Sequence, residues 1–331
     1  MARLRLSLAI SDNVRTRPII DGTIKPDGID LDISVLHGSE IFYRQLHYAQ
    51  FDLSEMSLSS LIMATANGDT TWTGLPIFAS RRFFHTEVMV REDSGINTPA
   101  DLKGRKVGVP EYQQTAALWS RAGLSQLYGV RAQDMEWWME RYPEKSHGAA
   151  TGFKPPEGVV LHYMTPNESL ASMMLDGQLE AAIHYVGATN LVDRSAIDLA
   201  AQPGIRYLFP DPKAEAAHYY RETGFFPINH GMVLRRSIYE QQPWVALNIY
   251  NAFFKAKEMV RARTRDLMGP YFETGLLASD GQKAAATDLF AYGVRENRKI
   301  LEAIPQFSHE QGLTPRVVRV DEIFAKQTLD I

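Results

Sequence analysis

Three histidines stand where apolar, extended text ends or begins: His85 in "ASRRFFHTE", His184 after "LEAAI" and His230 in "FPINHGMV". An imidazole titrates near pH 6.5 and can give or take a proton at neutrality. A positioned acid or base of this kind contributes on the order of 10²–10⁴ in rate. These three are the candidates for proton transfer, His230 first because the chain returns there between two halves, His85 second. His37, His47, His147 and His218 read as surface or loop residues. Glu55, in "FDLSEMSLSS", is the candidate carboxylate base, and Asn229 adds an amide beside His230.

Cations stand near the same strand ends. Arg15 and Arg17 follow the first apolar run, and Arg81 and Arg82 lie in "ASRRFFH". A guanidinium matches a carboxylate with two parallel N–H donors and stays charged when desolvated. Adjacent residues on a strand face opposite ways, so one of Arg81 and Arg82 is expected at a site. Any one of these arginines serves equally well as a surface solubiliser. Ser57 and Ser59 can open a helix and leave free N–H groups for a ligand, or simply cap it. In "EYQQT", Gln113, Gln114 and Thr115 offer hydrogen bonds to an anion and Glu111 can accept a proton. His85 and Glu87 alternate as a pair, but no HExxH pattern or carboxylate-rich triad accompanies them, so a metal is not expected. No GxGxxG or Walker A text supports nucleotide binding.

The elements that position these groups alternate. Leu4–Ile10 reads as a strand, a helix starts near Pro18, and Ile29–Val35 is the next strand. "SEIFYRQLHYAQ" is a helix with Ser39 as N-cap, and "FDLSEMSLSSLIMATANG" is a strand feeding a helix that ends near Gly68. After strand-like "LPIFASRRFFHTEVMVRED", Lys106–Val109 opens a second series: a helix from "QQT", a strand at Val159–Tyr163, the helix "NESLASMMLDGQLEAAI" and a strand end at His184. "FFPINHGMVLRR" is a strand before a long helix starting at Pro243. Strands alternating with helices imply a mainly parallel sheet whose ligands bind beyond the carboxyl ends of its strands. The expected organisation is two α/β lobes with a cleft between them: residues 1–92 and 227–331 form the first, discontinuous lobe, and residues 93–226 the second, inserted one. The stretch "RYPEKSHGAATGFKPPEG", residues 141–158, reads as a surface loop or a lid over that cleft.

The chain has 331 residues, no cysteine, 45% hydrophobic and 22% charged residues, a net charge of −4 and a pI near 6.2. That size suits two domains. Cysteine chemistry and disulfides are excluded, nucleic acid is disfavoured by the acidic balance, and no 20-residue apolar run suits a membrane span. "MARLRLSLAISDNVRTRPII" alternates like a strand rather than like a signal-peptide core, so a cytoplasmic location is expected.

"REDSGINTPADLKGRKVGVP" and "ESLASMMLDGQLEAAI" resemble the type II periplasmic-binding-protein fold. "IIDGTIKPDGIDLD", "FDLSEMSLSSLI", "PIFASRRFFH", "KVGVPEYQQTAALW", "TGFFPINHGMVLRR" and "YGVRENRKILE" together resemble the 4,5-dihydroxyphthalate decarboxylase family over nearly the whole chain. The resemblance implies a cytoplasmic, cofactor-independent carboxy-lyase of aromatic catabolism and an oligomer. It acts on a small aromatic dicarboxylate, 4,5-dihydroxyphthalate or a relative, and gives 3,4-dihydroxybenzoate and CO2. The alternatives are a solute-binding protein for an aromatic or organic acid, or another cytoplasmic enzyme on the same scaffold.

Overall fold

The computed structural model describes residues 3–331. Its first half runs β1 (Leu4–Ile10), α1 (Arg17–Ile20), β2 (Ile29–Val35), α2 (Gly38–Tyr48), β3 (Leu53–Ser57), α3 (Leu58–Ala66), β4 (Trp72–Arg81), β5 (Met89–Arg91), β6 (Lys106–Val109), α4 (Thr115–Tyr128) and β7 (Glu136–Met139). It continues with α5 (Gly148–Thr151), β8 (Val160–Tyr163), α6 (Leu170–Leu175), β9 (Ala181–Ala182), β10 (Ile205–Tyr207), α7 (Pro212–Thr223) and β11 (Ile228–Arg235). The chain ends in helices: α8 (Arg236–Gln241), α9 (Trp244–Glu273), α10 (Ser279–Ala286), α11 (Val294–Glu310) and α12 (Val320–Ile323).

Two sheets result. The first has the order β2-β1-β3-β11-β4 and the second β10-β5-β9-β6-β7-β8. β1 lies parallel to β2 and β3, and β6 parallel to β7 and β9, as strand–helix–strand crossovers require. Both sheets are nevertheless mixed: β11 runs antiparallel to β3 and β4, and β5 antiparallel to β9 and β10. The chain crosses between sheets in the segment after β4, because Met89–Arg91 pairs in the second sheet.

Central strands are apolar on both faces because helices cover both. Leu8, Ile10, Leu53, Ile77, Val107 and Val109 are all buried. Trp119 of α4 is buried and donates from Nε1 to the Ile228 carbonyl at 2.9 Å, fastening the second lobe to β11 of the first. Gly108 is where the second lobe closes most tightly: a Cβ there would come within 2.2 Å of Leu170 Cδ2.

Two local expectations change. "NESLASMMLDGQLEAAI" is helical only over Leu170–Leu175, because Asp176 and left-handed Gly177 (φ +77°) end it and Ala181–Ala182 joins the sheet as β9. "FFHTE" is a short 3₁₀ turn over Phe84–Glu87 between β4 and β5. Among the described residues no helix is long and apolar enough to cross a membrane.

Candidate active site

The carboxyl ends of both sheets face one cavity of about 370 Å³. Ser11 follows β1, His37 follows β2, Ser57 ends β3 and Arg82 follows β4. From the second lobe Arg141 follows β7, His184 follows β9, and Gln114 and Thr115 lie beyond β6. Asn229 and His230 enter from β11, which runs the other way. There the β11–β4 register shifts on both sides of His230, an irregularity of the kind that re-aims a side chain.

Two helix N-termini converge on the same space. α2 presents Gly38 and Ser39, and α4 presents Thr115 and Ala116. No side chain caps either end, so their first-turn N–H groups and positive dipole ends favour an anion there. Arg82, paired with Glu87, and Arg141, paired with Glu111 and Asp193, bring guanidinium donors to the wall.

Four imidazoles line this anion-attracting space: His37, His147, His184 and His230. His184 occupies a left-handed backbone conformation (φ +53°), costly for a non-glycine residue and concentrated at functional sites. Its Nδ1 lies 3.4 Å from Glu87 Oε2, and Glu87 Oε1 in turn pairs with Arg82 Nε. Arg82, Glu87 and His184 therefore form a chain that orients the His184 ring.

His230 packs edge-on against Phe42, ring centroids 4.7 Å apart, and its Nε2 is 2.8 Å from the Asn229 amide. Burial, reinforced by the His184 and His37 imidazoles, pushes His230 down to about 3. It is neutral at pH 7, and its buried surroundings resist protonation. Burial likewise lowers His147 to about 4, against the pull of Glu111.

Behind His147 lies a buried ionic network. Arg141 donates to Asp193 Oδ1 at 2.6 and 2.8 Å, to Glu111 Oε2 at 2.8 Å and to Ser39 Oγ at 2.8 Å. Burial opposes its charge, yet the two carboxylates hold the guanidinium above its ordinary value. Glu111 also accepts from Ser146 Oγ at 2.5 Å and pairs with Gln113 Nε2 and, at 3.2 Å, His147 Nδ1. Burial raises Glu111, but His147 and Arg141 prevail and leave it below the usual carboxylate value.

Of the residues expected at the site, His230, His184, Arg82, Ser57, Gln114, Thr115 and Asn229 line the cavity. Ser59, Glu111 and Gln113 lie just behind the wall and are fully buried: Ser59 Oγ donates to the Gln113 carbonyl at 2.6 Å. Glu55 also stands behind the wall, its Oε2 accepting from the Ser11 N–H at 3.1 Å and its Oε1 without a partner. Burial, only partly offset by Ser11, raises Glu55 to about 7.

Four expectations are corrected. His85 is buried against Glu215, 3.1 Å away, because the 3₁₀ turn sends it and Glu87 in different directions; this also separates the pair considered for a metal. Arg81, on the strand face opposite Arg82, is occupied by the Ala291 and Phe226 carbonyls and Asn297. Arg15 folds back to the Ala79 carbonyl and lies 3.7 Å over the Phe290 ring. Arg17 forms an exposed pair with Asp12. Conversely His37 and His147, read as peripheral, face the cavity. The segment expected to be a solvated loop carries buried Ser146, His147, Gly148 and Thr151. It is pinned to α2 and α3 by His47 Nε2 to the Ser146 carbonyl at 2.9 Å and by Asn67 Nδ2 to the Thr151 carbonyl at 2.8 Å. Among the described residues no three His, Cys, Asp or Glu side chains are grouped to hold a metal ion.

The chain is 34% identical over 335 aligned residues to a 4,5-dihydroxyphthalate decarboxylase of Comamonas testosteroni, covering 100% of this chain and 99% of that one. It belongs to the 4,5-dihydroxyphthalate decarboxylase family. A protein of the same name from Pseudomonas putida is 35% identical over 225 residues, 68% of this chain and 84% of its own. The protein is thus an enzyme of the carboxy-lyase class. A family model described as "NMT1/THI5 like" matches residues 26–138. The fold is that of type II periplasmic binding proteins. The periplasmic aliphatic sulphonate binding protein SsuA from Escherichia coli superposes with a TM-score of 0.55 at 14% identity, over 99% of each chain.

Proposed function

We propose that this decarboxylase removes one ring carboxylate from 4,5-dihydroxyphthalate, or a closely related hydroxylated aromatic dicarboxylate, to give 3,4-dihydroxybenzoate and CO2. The observation that carries the reading is the meeting, in one cavity, of two uncapped helix N-termini and two arginines with four imidazoles. The first set suits a dianion, and the second suits proton transfer.

An aryl anion is too unstable to leave behind, so the ring carbon is protonated before the carbon–carbon bond breaks. Neutral His230, too weak a base to hold a proton outright, polarises the hydroxyl para to the departing carboxylate, which pushes electron density onto the carbon that bears it. His184, held through Nδ1 by Glu87, gives a proton to that carbon. The electron pair of the breaking bond restores aromaticity as CO2 departs, and His184 regains from solvent the proton it gave to the ring. Arg82 and the N-terminus of α4 hold the retained carboxylate. A tight grip on the departing one would stabilise the ground state and slow its loss.

Incubation of the purified protein with 4,5-dihydroxyphthalate, with CO2 and 3,4-dihydroxybenzoate followed together, tests this. Equimolar release of both at catalytic turnover is expected. Stoichiometric binding with no CO2 would instead favour a solute receptor.

A further inference from the structure

Outside the active cavity, Arg121 of α4 is the anomaly in the charge distribution. It is 1% exposed, and among the described residues no carboxylate pairs with it. Its Nη1 donates to the Tyr112 carbonyl at 2.8 Å and its Nε to Gln311 Oε1 at 2.8 Å; Nη2 has no partner. The Tyr112 ring lies 3.9 Å from the guanidinium carbon. Two ring faces, Tyr112 and, at 5.6 Å, Trp137, and two neutral acceptors offset only part of the cost of burying a full charge, for which a counter-ion is the usual remedy.

A second cavity, of about 320 Å³, opens beside this residue between α4 and α11. Its other polar walls are Ser125, Gln126, Arg131, Gln133 and Gln311. Their hydroxyl, amide and guanidinium donors suit a small, hydrophilic anion rather than an aromatic ring. The acidic residue at the rim, Glu310, is engaged by Gln306 Nε2 at 2.7 Å, and Arg131 lies 3.3 Å from Asp134. Asp134 compensates Arg131, so Arg121 is the cation of this lining that has no carboxylate partner.

We infer that this cavity is a second ligand site, which takes a small oxyanion, a phosphate or a carboxylate, as the missing counter-ion of Arg121. The site bridges the lobes further along α4 than the active cavity: α4 belongs to the second lobe and α11 to the first, and Gln311 also donates to the Leu118 carbonyl at 3.1 Å. Through the Tyr112 carbonyl the same guanidinium supports the turn that carries Glu111 and Gln113. The inference does not depend on which aromatic acid the active cavity takes.

The test measures thermal unfolding and calorimetric binding of the full chain with inorganic phosphate, and separately with acetate, against chloride at equal ionic strength. One saturable oxyanion site is expected in Arg82→Ala, where the active cavity has lost a cation. A rise in Tm of about 2–5 °C is expected at roughly ten times Kd. Phosphate saturating well below acetate would mark a phosphate site, and the reverse a carboxylate site.

Arg121→Met removes the site but can unfold the chain, so the deciding variant is Ser125→Glu. It places a carboxylate one helical turn from Arg121 within the same cavity. It should raise Tm in chloride and abolish the oxyanion response while decarboxylation continues. Absence of saturable binding of either oxyanion by Arg82→Ala, or an undiminished response in Ser125→Glu, would overturn the inference.

Discussion

At the scale of single residues, the site separates titratable groups by their surroundings. His230 is desolvated without a carboxylate, whereas His184 is held by Glu87 and Glu55 lies buried without a cation. Glu55 has a measurable signature. Its folded-state value is raised from 4.5 to about 7, so the folded protein keeps a proton that the unfolded chain gives up. Its contribution to stability is fully present below pH 4.5 and is lost as pH rises through about 7. Glu55→Gln should remove that loss, and the variant should gain about 2–3 kcal/mol relative to the parent between pH 5 and pH 8, measured by urea denaturation. A constant difference across that range would place Glu55 in a wetter setting. Residue types in the sequence pointed to His184, His230 and Arg82 because they stand at strand ends. They could not place His37 and His147, whose approach depends on how α2 and the segment after Arg141 fold back over the cleft. Nor could they exclude Arg15 and Arg81, which satisfy local carbonyls that no spacing rule reveals.

At the scale of elements, much was legible. β1, β2 and β6 begin and end where apolar alternation and flanking polar residues place them. The reading of Asn167–Ile183 as one helix fails because apolar text of that length suits either a helix or a short buried strand, and Gly177 decides between them. Placing the cap of α2 at Ser39 rather than His37 had a similar cause: a cap forms where the backbone turns, and here no side chain performs it. That uncapped end supplies a prediction. A Cβ at Gly38 would sit 3.2 Å from His230 Cε1 and 3.4 Å from Phe42 Cζ, so the ring must give by a few tenths of an ångström. Gly38→Ala should lower kcat about 3–30-fold through the misplaced imidazole while Tm stays within a few degrees. Unchanged kcat would show that the α2 terminus does not position His230.

At the scale of the whole molecule, one apolar core runs through both lobes, and at the cavity they also meet through polar contacts. Arg141 reaches Ser39, Ser57 Oγ lies 2.9 Å from Thr115 Oγ1, and Ser59 Oγ reaches the Gln113 carbonyl. Arg141 is central because it also compensates two buried carboxylates, a role invisible in sequence since its partners stand at positions 39, 111 and 193. Arg141→Met should cost about 3–5 kcal/mol in chemical denaturation, since Glu111 and Asp193 would stay buried without their cation. A loss below 1 kcal/mol would mean that the network is dispensable. Proton donation from this cavity to the ring of a bound dianion is tested by His184→Gln, with binding and CO2 release measured on the same preparation. The dissociation constant for 4,5-dihydroxyphthalate should stay within about threefold of the parent while CO2 release falls about 10²–10⁴-fold. CO2 release within threefold of the parent would show that His184 is not the proton donor.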